Sequence, residues 1–204
     1  MNFKEYQQRA LLTESKPAEL NFGEVGLHMV LCASITMAEI VNQTKRTMFY
    51  GKPLDGAGMR ALAQDLAGFG QLLFEMSDHL ATKNDKANYG ALPESARNID
   101  PKNLDLRLAH AALGIFSEGG EALELIRDML EGKPFDTVGW GEEIGGDISW
   151  YQALGHDAAG TDEDVERAKN IKKLELRNKG QTFNAEGTLN RDLDAERKVL
   201  EGQA

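Results

Sequence analysis

The chain has 204 residues, 41% of them hydrophobic, and a net charge of −10 from 23 Lys and Arg against 33 Asp and Glu. That length supports one good hydrophobic core or two small ones in series. The acidic balance argues against nucleic acid or an anionic membrane as a partner, so an anionic ligand must be held locally, by a few basic groups or by metal. The single cysteine, Cys32, cannot form an internal disulfide and points to a reducing, cytoplasmic setting. The opening MNFKEYQQRALLTESKPAEL lacks the apolar stretch of a signal peptide. The most apolar run, Val25 to Val41, is interrupted by His28 and Glu39 and is too short for a membrane span.

Apolar residues recur at three- and four-residue spacing and β-branched alternation is nearly absent, which predicts an all-α fold. Helices are expected at about 23–48, 57–82, 103–131, 137–156, 161–178 and 188–201. Between the second and third, TKNDKANYGALPESARNIDPK is rich in turn formers and reads as a linker over 86–102. It separates two helical pairs that resemble each other. His28 precedes Glu39 by eleven residues, as His110 precedes Glu121, and each leading helix ends in a Gly-Lys-Pro-x-Asp turn, at Gly51 to Asp55 and at Gly132 to Asp136. Glycine can end a helix there and proline prevents its continuation. A helical bundle made of a fused tandem of two related helix pairs is expected.

The third helix carries Glu118 and Glu121 three residues apart, hence on one face, with His110, Gly114 and Leu125 on the same stripe. This stripe borders the apolar positions Ala111, Ile115, Ala122 and Ile126. The fourth helix carries Glu143 and Asp147, four apart, followed by Ile148, Trp150 and Tyr151. An antiparallel pair joined by the GKPFD turn would face the two acidic stretches toward each other. Four hard oxygen donors around one volume suit Mg²⁺, with no histidine or cysteine cluster to favour a softer metal. Each pair alone reads better as a solvated face; their coincidence on adjacent helices brings a metal site level with that reading. Lys169, Lys172, Lys173, Arg177 and Lys179 crowd the end of the fifth helix, with Asn170, Lys173 and Arg177 on one face. Such a cluster either complements the helix dipole or clamps phosphate oxygens.

From about Leu106 to Glu201, the blocks HAALGIFSEGGEALEL, EGKPFD, EEIGGDISWY, NIKKLELR and FNAEGTLNRDLDAER resemble the MazG-like, all-α nucleoside triphosphate pyrophosphohydrolase superfamily, in particular its phage-type members. The family pattern is Glu-x-x-Glu, a turn, then Glu-x-x-Asp. This chain has Ser117 where another Glu is frequent, and one extra residue between Glu143 and Asp147, so that Ile144 stands where the acid is expected. A π-bulge at Gly145 and Gly146 would absorb the surplus, with Glu142 as the alternative to Glu143.

The resemblance implies a Mg²⁺-dependent hydrolase, with Mn²⁺ as a substitute, that cleaves ribo- or deoxynucleoside triphosphates to the monophosphate and pyrophosphate. Glu118, Glu121, Glu143 and Asp147 would hold the metal, with Glu118 and Glu121 also catalytic. Asn170, Lys173 and Arg177 would hold the triphosphate, and Trp150 or Tyr151 would stack on the base, although aromatics on an amphipathic helix are more often core. His110 is expected in the core. Residues 1–85 would form a degenerate structural half, in which Glu39 matches Glu121 but Thr36 stands where Glu118 would be and Asp65 is the nearest acid to the Asp147 equivalent. Residues 103–180 would form the catalytic half and 181–204 a helical tail, in a homo-oligomer of a bacterium or phage-infected host. A ferritin-like di-iron bundle needs Glu-x-x-His pairs, whereas Glu75 and His79 are spaced four apart. The remaining rival is a non-catalytic helical binding or assembly protein derived from this family.

Overall fold

The computed structural model describes residues 2–15, 23–82, 105–179 and 185–203, and every regular element among them is helical. None of the helices described is long and apolar enough to cross a membrane. The chain divides into two compact units, Lys16–Leu104 and Met1–Ser15 with Asp105–Ala204. The expected linker, 86–102, lies outside the described residues.

The Lys16–Leu104 unit is a pair of long helices, α2 (Gly23–Tyr50) and α3 (Gly56–Thr82), packed on one another. Gly51 reverses the chain at φ +69°, and Asp55 caps α3 by accepting from the Ala57 and Gly58 amides at 3.1 and 3.0 Å. Met29 is completely buried. Glu39 is exposed and accepts from the Gln43 side chain at 3.2 Å, a surface contact and not part of an acidic centre.

The other unit is built on α4 (Leu106–Leu130), and on α5 (Thr137–Gly141) continued through a π turn (Glu142–Asp147) into α6 (Ile148–Ala159). Asp105 caps α4. The second Gly-Lys-Pro-x-Asp turn repeats the form of the first: Gly132 has φ +86°, and Asp136 accepts from the Val138 and Gly139 amides, both at 3.0 Å. Here the Lys133 amide also closes on the Asp128 carbonyl at 3.0 Å.

Helices α4 and α6 approach through small residues. Ala111, Gly114, Ala122 and Ala153 are buried, and a Cβ on Gly155 would stand 3.4 Å from that of Ala111. At Gly114 the face of the Tyr151 ring occupies the place a Cβ would take. Leu154 is fully buried, worth about 1.5–3 kcal/mol relative to exposure.

A helix not expected from the sequence, α1 (Phe3–Ala10), packs on α6, so the first fifteen residues belong with the second half of the chain and not with the 1–85 segment in which they were placed. At eight residues α1 is too short to persist alone. Its start is fixed by a capping box, Asn2 Oδ1 accepting from the Glu5 amide at 2.9 Å and Glu5 from the Asn2 amide at 3.1 Å.

Helix α7 (Glu163–Arg177) begins at the Asp162 cap and packs along α9 (Leu193–Leu200). The single tail helix expected at 188–201 is instead two, α8 (Ala185–Leu189) and α9, because Asp192 restarts the helix by accepting from the Ala195 amide at 2.9 Å.

Candidate metal centre

Three carboxylates meet where α4 faces the π turn. Glu118, Glu143 and Asp147 each offer an oxygen, and the three oxygens lie within 4.8 Å of one another. Glu118 comes from the middle of α4, on the face that also carries buried Gly114, and Ser117 Oγ donates to it at 3.1 Å. Glu143 and Asp147 come from the π turn, which spans the whole EEIGGD stretch, Gly145 and Gly146 included. Glu143 is half-buried and turned into the cluster, whereas Glu142 is exposed, so Glu143 is the member of the pair that joins the other acids.

Burial and then the neighbouring charges of Glu121 and Glu118 push the Glu143 carboxyl above its ordinary value. Its Oε2 is shielded from solvent without a hydrogen-bond donor. The groups around that oxygen are carboxylates, with which it can share a hydrogen bond only by taking up a proton. The three carboxylates offer only hard oxygen donors and could hold a metal ion.

Glu121 is exposed and stands outside the triad of converging oxygens, yet near enough to be the strongest charge acting on Glu143. Tyr151 lies against the same acids: burial, then Glu118, Asp147 and Glu121, raise its phenol. On the other side Tyr6 of α1 feels Asp147 in the same way, after burial.

The expected substrate-binding residues are dispersed. The Trp150 indole donates to the Ala10 carbonyl and to Thr13 Oγ1, both at 3.0 Å, and Trp150, Tyr151 and His110 form an edge-to-face group with ring centres 5.0–5.8 Å apart. Trp150 thus fastens the N-terminal segment, and His110 is half-buried in the same ring group.

Asn170, Lys173 and Arg177 all lie on α7, whose main packing partner is α9. The Arg177 guanidinium is committed to Glu196 by two parallel bonds of 2.9 and 2.8 Å, and Arg191 joins the same carboxylate. Buried between two arginines, Glu196 is held down to about 2. Arg177 is therefore a fastener of the C-terminal tail. Asn170 is exposed and Lys173 half-buried.

The sequence reading missed Tyr6 and the whole of α1. The signal for it was present in Asn2-x-x-Glu5 followed by Tyr6 and Ala10 at helical spacing. Comparison with protein-family models, with curated proteins and with solved structures returns no match.

Proposed function

We propose that the chain is a Mg²⁺-dependent nucleoside triphosphate pyrophosphohydrolase of the MazG-like type, cleaving ribo- or deoxynucleoside triphosphates to the monophosphate and pyrophosphate. The single observation that carries this reading is the shielded Glu143 Oε2, without a donor, among the carboxylates of Glu118 and Asp147. Clustered carboxylates repel, and with Glu118 and Glu143 half-buried beside the exposed Asp147 a cation that joined them would relieve that repulsion.

Glu118, Glu143 and Asp147 would hold Mg²⁺, which supplies positive charge against the phosphate oxygens. Glu121, outside the ligand oxygens but beside them, is the general base. It takes the proton of a water whose oxygen bonds to one of the two phosphorus atoms of the α–β linkage, while the bridging oxygen departs with the other. The Tyr151 ring packs at Gly114, one turn before Glu118, and its phenol is raised by burial and by the same acids.

A tandem origin of the two helix pairs agrees with their matching turns. Large apolar side chains left exposed along α4, such as Leu123 and Leu130, suit a homo-oligomer. A free Cys32 suits a reducing cytoplasm.

A second reading, a non-catalytic binding or assembly protein of the same descent, is favoured by one observation: the arginine best placed in sequence to clamp phosphate is spent on Glu196. Pyrophosphate release from a panel of ribo- and deoxynucleoside triphosphates, with and without Mg²⁺, separates the two. Mg²⁺-dependent release by the native chain that is lost in Glu121→Gln supports the hydrolase, and no release from any nucleotide of the panel favours the assembly protein.

A further inference from the structure

Outside the acidic helix pair, the structure holds a contact to which the site chemistry assigns no role. The Tyr6 phenol donates to the Gly146 carbonyl at 3.1 Å, across 140 residues of sequence. Gly146 lies inside the π turn, between Glu143 and Asp147. The turn is a weak segment: π geometry is rare, and its two glycines, Gly145 and Gly146, have the poorest helix propensity short of proline. A Cβ at either glycine would meet no atom within 4 Å, so no side chain crowds the backbone there. The phenol reaches the turn from another helix and bonds its backbone directly.

Tyr6 is itself held in place. Gln7 donates to the Ala153 carbonyl at 3.0 Å, Trp150 donates to Ala10 and Thr13, and Phe3 meets the His156 ring edge-on at 5.7 Å. Beyond the helix, Glu14 is buried against Arg107, which also bonds Asp157 at 2.8 Å. Helix α1 is thus fastened along α6 at both ends, and the Tyr6 hydroxyl reaches the turn without ordering a further segment of chain.

We propose that Tyr6 is a positioning residue for the metal centre: by holding the Gly146 carbonyl it fixes the π turn in the form that sets Glu143 and Asp147 toward Glu118. This inference rests on the metal reading above. It makes the N-terminal helix part of the centre's architecture, although α1 contributes no ligand.

The test is Mn²⁺ binding to the full chain, followed by the paramagnetic relaxation of water protons, for the native protein, Tyr6→Phe and Gln7→Ala. Tyr6→Phe removes one hydroxyl and keeps the ring, whereas Gln7→Ala cuts a bond of the same helix that ends at Ala153, away from the turn. The expected result is a Kd for Mn²⁺ raised about two- to tenfold in Tyr6→Phe, the worth of one hydrogen bond, and unchanged in Gln7→Ala. Equal affinity of Tyr6→Phe and the native chain overturns the inference and leaves the metal centre standing. Equal weakening in both variants also overturns it, because α1 would then act through general stability alone. A native chain that binds no Mn²⁺ overturns the metal reading and this one with it.

Discussion

Gly114 offers a test of the helix contact that brings the acids together. Placing a methyl group there drives it into the Tyr151 ring, which cannot simply turn aside, since His110 and Trp150 stand edge-on at 5.5 and 5.0 Å. Overpacking of this kind costs about 3 kcal/mol at the upper end of the usual range. Alanine returns about 1 kcal/mol of helix propensity at a mid-helix glycine, leaving a net loss of about 2 kcal/mol. For a unit of this size that lowers the thermal midpoint by about 8 °C, readable by circular dichroism. In a Tyr151→Ala background the obstacle is gone, and Gly114→Ala should then stabilise by about 1 kcal/mol, reversing its sign. A Gly114→Ala protein at least as stable as the native chain, or the same destabilisation in both backgrounds, would refute the close approach of α4 and α6.

Glu143 has a raised folded-state value, so the native state binds its proton more readily than the unfolded chain does. The stability of the metal-free protein should therefore fall as pH rises above the ordinary 4.5 through the folded value. In EDTA, Glu143→Gln should flatten that fall and unfold at a higher temperature than the native chain at neutral pH, while losing the stabilisation that Mg²⁺ gives; a native-like pH profile for the variant would remove Glu143 from the cluster. Glu196 has the opposite sign: held down to about 2 by Arg177 and Arg191, it contributes stability above its unfolded value that is lost as pH falls toward 2. Glu196→Gln leaves two guanidinium groups without their counter-charge and should cost about 3 kcal/mol, with faster amide exchange over Leu193–Leu200; unchanged exchange there would show that the pair does not fasten the tail.

The long helices were legible because a 3.6-residue period over two dozen positions, ended by Gly-Lys-Pro-x-Asp, leaves few alternatives. The π turn was legible for a different reason: against the pattern the sequence resembles, the Glu143 to Asp147 spacing is one residue longer, beside two glycines. What escaped detection depends on contacts between distant segments. No local spacing links Tyr6 to Gly146 or Arg177 to Glu196, so α1 went unread and Arg177 was assigned to a phosphate. The exclusion of Glu121 from the converging oxygens was equally hidden, because positions three apart on a helix share a face without reaching the same point across it.

Three features that each disfavour folding coincide at one place. The π turn gives up regular helical bonding, its glycines cost about 1 kcal/mol each in propensity, and the three carboxylates meet around an oxygen without a donor. A chain selected for stability alone could relieve all of this by deleting one glycine or replacing Glu143 with glutamine. Tyr6 instead bonds the backbone of the turn, and the Ser117 hydroxyl lies within reach of both Glu118 and the Gly114 carbonyl. Unfavourable elements that are individually supported by their surroundings are expected where a ligand returns the cost. A cation bound among the three carboxylates would offset that cost, and the nucleotide proposal depends on such binding.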